Sequence, residues 1–154
     1  MKQIFSVLLI CCCIQYGSQA QSSKSDKPTY KTAIGLRFSP LGISFKANSK
    51  QGKTSFELIG YFKDGFTASG LYYWNFTLNE PANLKLYAGG GGQVGFKDES
   101  AGGGSVLGVG GILGVDYKFL HMPLNLSLDW QPSFQFGKNN DFHGWGGIAA
   151  RFTL

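Results

Sequence analysis

The residues of this chain best suited to chemistry are two histidines and a glycine-rich run. His121 and His143 could ligate a metal or act as general bases, but neither has carboxylates or cysteines at ligand spacing. His143 could join Ser133 and Asp141 in a nucleophilic triad, although nothing in their spacing marks one. The run Gly108–Gly114 imitates a phosphate-binding loop, but it continues as a strand pattern instead of a helix. We therefore predict no catalytic residue, cofactor or metal, and no enzyme.

A second set of ionisable residues shares the polar face of the predicted strands. It comprises Arg37, Lys46, Glu57, Lys85, Asp116, Lys118, Asp129 and Arg151. Charges inside a protein are tolerated when they are paired and hydrogen-bonded. We predict that these residues form a salt-bridge network that plugs a barrel, which is a structural role. The alternative is a narrow gated conduit, in which a change of partner opens a path.

Alternation with a period of two is clearest in the segment 124–136. Its apolar face carries Leu124, Leu126, Leu128, Trp130, Phe134 and Phe136, and its polar face carries Asn125, Ser127, Asp129, Gln131, Ser133 and Gln135. Successive side chains of a strand point to opposite faces, so this segment predicts a strand with one apolar and one polar side. Pro132 removes one ladder donor and is expected to mark a bulge or bend.

Similar segments, separated by turn residues, recur along the chain. The predicted strands are 32–39, 43–48, 54–63, 66–77, 84–97, 106–119, 124–136 and 145–154. An even number of strands places both ends of the sheet on one side. The segments 98–105 and 137–144 are predicted to be long connections on the opposite rim, where outer-membrane barrels carry their external loops.

Alternation alone does not decide which face points outward, because a soluble lipocalin-like barrel alternates too. The polar face is too sparsely charged for a soluble exterior: charged residues make up 15% of the chain, against about 25% in an ordinary soluble domain. Aromatic residues gather towards strand ends, as in the girdles of membrane barrels; they are Phe38, Phe62, Phe66, Phe76, Phe96, Phe119, Phe136, Phe142 and Trp145. We therefore predict an all-β fold, an eight-stranded antiparallel up-and-down transmembrane β-barrel.

The first twenty residues have the layout of a secretory signal peptide. Lys2 precedes an apolar run, 4–14, that is too short to span a bilayer as a helix, and Ser18-Gln19-Ala20 offers small residues for cleavage. The predicted organisation is a signal peptide (1–20), a flexible lead-in (21–30) and a barrel domain (31–154). All three cysteines fall in the signal peptide, so we expect no disulfide or thiolate in the mature chain.

Charge in the mature part is scattered. Removing Lys2 from the 14 basic residues leaves 13 against 9 acidic residues, a net charge of +4. There is no run of Lys or Arg that would form a nucleic-acid-binding stripe. A lipoprotein anchor at Cys11, Cys12 or Cys13 is disfavoured, because no small residue of the required type precedes them.

The chain from the fourth predicted strand onward carries several motifs in a recognisable order. They are Gly70-Leu71-Tyr72-Tyr73, Tyr87-Ala88-Gly89-Gly90-Gly91, Gly111-Ile112-Leu113-Gly114-Val115-Asp116-Tyr117 and Pro123-Leu124-Asn125-Leu126-Ser127-Leu128-Asp129-Trp130-Gln131-Pro132. From about Leu71 onward the chain resembles the small outer-membrane β-barrel proteins of Bacteroidota-type bacteria. The resemblance implies this fold and a place in the cell outer membrane, but no agreed activity.

These observations predict a small, non-enzymatic outer-membrane barrel with a plugged polar lumen. Its role would be envelope integrity or the presentation of short loops to an external partner. Outer-membrane lipid and the barrel-assembly machinery are the expected partners, with no nucleic acid, and the chain is expected to be a monomer. The alternatives are a soluble exported lipocalin-like barrel that binds a small apolar ligand, and a lipid A-modifying barrel enzyme.

Overall fold

The computed structural model describes residues 30–78, 83–136 and 141–154, which form a closed antiparallel barrel of eight strands. The strands are β1 (Thr32–Phe38), β2 (Gly42–Asn48), β3 (Thr54–Tyr61), β4 (Gly65–Thr77), β5 (Leu84–Lys97), β6 (Gly104–Lys118), β7 (Leu124–Phe136) and β8 (Asp141–Thr153). Each strand pairs with the next, and β1 pairs with β8 to close the sheet. The predicted all-β, eight-stranded, up-and-down antiparallel fold is confirmed. The predicted signal peptide and the lead-in, apart from Tyr30, lie outside the described residues.

The strands follow the predicted segments closely, except at the beginnings of β6 and β8. The ladder continues to Gly104, which pairs with Lys97, and to Asp141, which pairs with Gln135. The connections predicted to be long are therefore only 98–103, which contains a 3₁₀ helix (Glu99–Ala101), and 137–140. The expected contrast between long loops on one rim and short turns on the other was wrong, because the glycine-rich segments that suggested loops pair within the sheet.

Pro132 does not produce the bulge that its position suggested. The β6–β7 pairs on either side of it keep a single register, with Gly110 opposite Ser133 and Leu113 opposite Trp130. The ladder is interrupted between these pairs, where proline has no N–H to donate. The missing donor therefore removes the pairing locally, but it introduces no extra residue and does not change the register.

The two faces of the closed sheet differ sharply in chemistry. The outward face carries exposed aliphatic and aromatic side chains on every strand, for example Leu36, Phe45, Leu58, Trp74, Val94, Leu113, Leu128 and Ile148. The inward face carries buried serines, tyrosines and charged residues. Polar residues therefore face the lumen, the arrangement that the sparse charge and the aromatic residues at strand ends had favoured.

His143 and Trp145 lie elsewhere than the sequence suggested. His143 was placed in an external loop and Trp145 in the outer girdle, but both belong to β8. Both line the interior, where their rings stack with centroids 5.6 Å apart. The glycines around them (Gly144, Gly146 and Gly147) hid the strand alternation that would have assigned these residues to the lumen.

Each rim of the barrel is defined by its connections. The termini of the sheet and the connections after β2, β4 and β6 lie at one end, here called the terminal rim; the connections after β1, β3, β5 and β7 lie at the other, the loop rim. His121 lies in the β6–β7 connection at the terminal rim, as predicted, and is exposed. Within the described parts of the chain, no helix is both long enough and apolar enough to traverse a bilayer.

Candidate functional site

The interior of the barrel contains a compact charged cluster, here called the lumen network. Among the described residues, the buried charged side chains are Arg37, Lys46, Glu57, Asp116, Asp129 and Arg151. They number three cations and three carboxylates, so the cluster is formally neutral. Ionised groups removed from water need partners in good geometry, because the desolvation cost otherwise exceeds the attraction.

Glu57 of β3 is the best-connected carboxylate of the lumen network. Arg151 of β8 donates from Nη2 to Oε1 of Glu57 at 2.5 Å, and the Tyr73 hydroxyl donates to Oε2 at 2.8 Å. The Ser44 hydroxyl donates to Glu57 Oε1 at 2.6 Å while accepting from Arg151 Nε at 2.7 Å. Arg151 Nη1 donates to the Ser127 hydroxyl at 2.7 Å. This side of the barrel is thus joined across its interior by charge-assisted hydrogen bonds.

Asp129 of β7 pairs with Arg37 of β1 over the intervening strand β8. Arg37 donates from Nη1 to Oδ2 at 3.0 Å and from Nη2 to Oδ1, which makes the contact bidentate. The Tyr87 hydroxyl also donates to Asp129 Oδ2, at 2.8 Å. A bidentate fork fixes the orientation of both groups as well as their separation.

Asp116 of β6 forms the third charged contact, with Lys46 of β2. The carboxylate also accepts from the Asn125 amide and, at 3.1 Å, from the Tyr30 hydroxyl. Tyr30 was assigned to the flexible lead-in, but it is buried against Asp116 and belongs to the barrel interior.

Two of the sequence-predicted residues are not among these six buried side chains. Lys118 donates from Nζ to the carbonyl oxygens of Phe119 and Met122, at 2.8 and 2.7 Å, and so closes the turn after β6. Lys85 is half-buried, and its backbone pairs with that of Asp116. The structure therefore brings together Arg37, Lys46, Glu57, Asp116, Asp129 and Arg151, while Lys118 serves the terminal rim.

The sequence pattern did not predict the tyrosines that surround the lumen network. Tyr73 and Tyr87 lie with ring centroids 4.8 Å apart, and Lys46 Nζ lies 5.5 and 5.6 Å from their centroids. The ammonium of Lys46 is therefore held by cation–π attraction as well as by Asp116. Tyr73 stands between Tyr72 and Trp74, so its strand is aromatic on both faces and alternation gives no signal there.

Gly147 of β8 shows how tightly the lumen network is packed. A Cβ at this position would lie 2.5 Å from Arg37 Nη2 and 2.9 Å from Arg37 Cζ. Arg37 cannot move aside without losing its bidentate contact with Asp129. We therefore expect Gly147→Ala to lower the free energy of unfolding by about 1–3 kcal/mol through overpacking, measured by urea unfolding of the protein in lipid vesicles.

The adjacent residue provides the control for this substitution. Gly146 faces outward, and the nearest atom to a Cβ built there is 4.0 Å away. Gly146→Ala should therefore change the free energy of unfolding by no more than about 0.5 kcal/mol. Equal effects of the two substitutions would contradict the close approach of Arg37 to β8.

The residues considered for catalysis do not assemble into a triad. Ser133 and His143 are cross-strand partners in the β7–β8 ladder, yet the Ser133 hydroxyl has no hydrogen-bond partner among the described residues, His143 included. The glycine-rich run 108–114 lies wholly within β6, with no helix to receive a phosphate. No group of three or more His, Cys, Asp or Glu in the described ranges could hold a metal ion.

The chain has a distant structural likeness to one known protein and no match among families or curated proteins. Among solved structures, the chain is similar to the crystal structure of Neisserial surface protein A, with 16% sequence identity, a TM-score of 0.48, and coverage of 80% of this chain and 93% of that one.

Proposed function

We propose that this chain is a monomeric integral protein of the outer membrane, a non-enzymatic barrel whose lumen network keeps it closed. Its role is then mechanical integrity of the envelope or presentation of the loop rim to an external partner. The observation that carries the proposal is the inverted burial of a closed sheet: charged residues inside, aliphatic and aromatic residues outside on every strand.

The outward face is suited to lipid and unsuited to water. A soluble protein rarely exposes a contiguous apolar surface larger than a few hundred Å², whereas here the exposed apolar side chains encircle the barrel. Closure of β1 on β8 also removes the sheet edge, so the ladder pairs its donors and acceptors without solvent all round the barrel except beside Pro132. These two properties together are the requirements for a sheet that spans a bilayer.

The strand lengths support the same proposal, more strongly on the side of β4–β8 than on the side of β1–β3. A tilted strand needs roughly 9–11 residues to cross the hydrocarbon layer. Strands β4 to β8 have 13 to 15 residues, whereas β1, β2 and β3 have 7, 7 and 8. We infer a thinner hydrophobic wall on the side of β1–β3, where the bilayer thins or the rims approach the interface.

The interior of the barrel argues against the two alternative functions. A lipocalin-like barrel needs an apolar interior to hold an apolar ligand, but the interior here contains buried ion pairs and tyrosines. A lipid A-modifying enzyme needs an activated nucleophile, and the Ser133 hydroxyl makes no hydrogen bond to His143. Lipid and the barrel-assembly machinery are then the partners that biogenesis requires.

Membrane fractionation and a heat-modifiability gel test the proposal directly. We expect the protein to sediment with the outer membrane, to resist extraction by high salt, and to migrate differently before and after boiling, because a closed barrel stays folded in cold detergent. Release into the soluble periplasmic fraction would contradict membrane insertion. An outer-membrane protein whose mobility does not change on boiling would contradict the closed barrel instead.

A further inference from the structure

A cavity of about 150 Å³ lies in the half of the barrel nearer the loop rim. This space, here called the upper cavity, is lined by glycines of β5 and β6, by apolar residues that include Leu71, Val106 and Trp145, and by polar residues that include Tyr61, Gln93, Gln131 and Ser133. It lies on the loop-rim side of the lumen network, which takes no part in its lining. The proposed function assigns the upper cavity no role.

Gln131 places a free donor in the wall of the upper cavity. The residue is only 8% exposed. Its Oε1 accepts a hydrogen bond from the Tyr61 hydroxyl at 2.7 Å, which fixes the orientation of the amide. The opposite end, Nε2, is buried and has no hydrogen-bond partner among the described residues. A buried donor without an acceptor is destabilising, and a molecule that supplies an acceptor relieves that cost.

Gln93 and Ser133 add two further groups of the same kind. Ser133 is 7% exposed and its hydroxyl has no partner in the described chain, and the buried Nε2 of Gln93 has none either. The Gln93 amide lies over Gly108, where a Cβ would come within 2.8 Å of Nε2, and so extends towards β7. The glycine is what leaves room for the amide, because a side chain at that position would displace it.

Among the fully buried side-chain atoms that line the upper cavity, those without a hydrogen-bond partner in the described chain are two amide nitrogens and one hydroxyl. Its charged lining is Lys63 and Lys97 against Asp64, a net positive charge. Such a site favours a ligand rich in hydrogen-bond acceptors and bearing one negative charge. The cavity has the size that holds a benzene-sized molecule in other proteins.

We propose that the upper cavity binds a small organic monocarboxylate. The two carboxylate oxygens accept from Gln131 Nε2, Gln93 Nε2 and the Ser133 hydroxyl, and the lysines lower the cost of bringing in the charge. A phosphate carries more charge into a site whose deep donors are neutral, so its desolvation is less well compensated. With the loop rim outside, the site samples solutes at the cell surface.

Side-chain amide resonances provide a direct test. The full barrel, ¹⁵N-labelled and folded in detergent micelles, is titrated at neutral pH with sodium lactate, with lactamide as the neutral isostere, and with inorganic phosphate. We expect lactate alone to shift the Gln93 and Gln131 Nε2 resonances saturably. Equal shifts with lactamide, tighter binding of phosphate, or no saturation, which means water only in the cavity, would each overturn the proposal.

Variants locate the site. Gln131→Glu replaces the free donor with a carboxylate, and Ser133→Ala removes the hydroxyl with little change of shape; each should weaken lactate binding about tenfold or more. Gln51→Glu makes the same charge change in the exposed β2–β3 turn at the terminal rim and should bind as the parent does. Heat-modifiability of every variant verifies folding, so a failure of binding is distinguishable from a failure of the barrel. Parent-like affinity in both cavity variants would overturn the assignment.

Discussion

Glu57→Gln should lower the free energy of unfolding by about 3–5 kcal/mol, because it leaves the Arg151 guanidinium buried without a counter-charge. Glu57 is 0% exposed and accepts from Arg151, Ser44 and Tyr73. The amide has the shape of the carboxylate, so the substitution opens no cavity and the loss is electrostatic. Urea unfolding in lipid vesicles, followed by tryptophan fluorescence, measures the change.

Glu99→Gln is the matched control for this loss of charge. Glu99 is exposed in the 3₁₀ helix between β5 and β6, so its replacement should alter the free energy of unfolding by no more than about 0.5 kcal/mol. If Glu57→Gln proved as mild as Glu99→Gln, Glu57 would not be paired inside the folded barrel. The lumen network could then not be what closes it.

A double substitution separates the ion pair from general damage to the interior. Arg151→Met removes the cation of the pair. In the Glu57→Gln background it therefore leaves no unpaired buried charge, whereas Glu57→Gln alone leaves the Arg151 guanidinium unpaired. Residues within one hydrogen-bonded network show interaction energies of about 0.5–3 kcal/mol, and we expect the double variant to be more stable than the sum of the single losses by an amount in that range. Simple additivity would place Glu57 and Arg151 in separate environments.

The sequence predicted the strands well wherever one face is apolar and the other carries polar groups. Segment 124–136 is the clearest case, and β7 occupies those residues. The inward residues were harder to assign in β4 and β8, where aromatic residues occupy both faces or glycines interrupt the pattern, and these strands supply Tyr73, His143 and Trp145 to the interior. Alternation depends on a contrast in polarity between the two faces of a strand, so it gives no signal where that contrast is small.

The partners within the lumen network could not be predicted from the chain. Arg37 and Asp129 are 92 residues apart, and Lys46 and Asp116 are 70 apart. Which inward residues meet across a barrel depends on strand tilt and on the stagger with which the sheet closes. That stagger is set by all the ladder pairings together, including β1 with β8, and no single segment contains it.

The outward face provides a second test, and it concerns the surrounding medium instead of the interior. Leu113 lies near the middle of β6 and is 57% exposed, and Leu107, on the same strand and face but nearer the loop rim, is 56% exposed. In water the two positions are equivalent. In a bilayer Leu113 lies close to the hydrocarbon midplane and Leu107 closer to the interface, so the cost of a charge depends on depth.

Leu113→Arg should therefore lower the free energy of unfolding from lipid vesicles by about 2–4 kcal/mol, and Leu107→Arg by about 0–1 kcal/mol. Leu120→Arg, in the connection after β6 and 63% exposed, is the control for the charge itself and should be nearly neutral. Equal and small effects at Leu113 and Leu107 would mean that the apolar face meets water, which would remove the membrane from the proposal while leaving the barrel intact. A graded loss that follows depth has no explanation in a soluble barrel, because exposure at the two positions is the same.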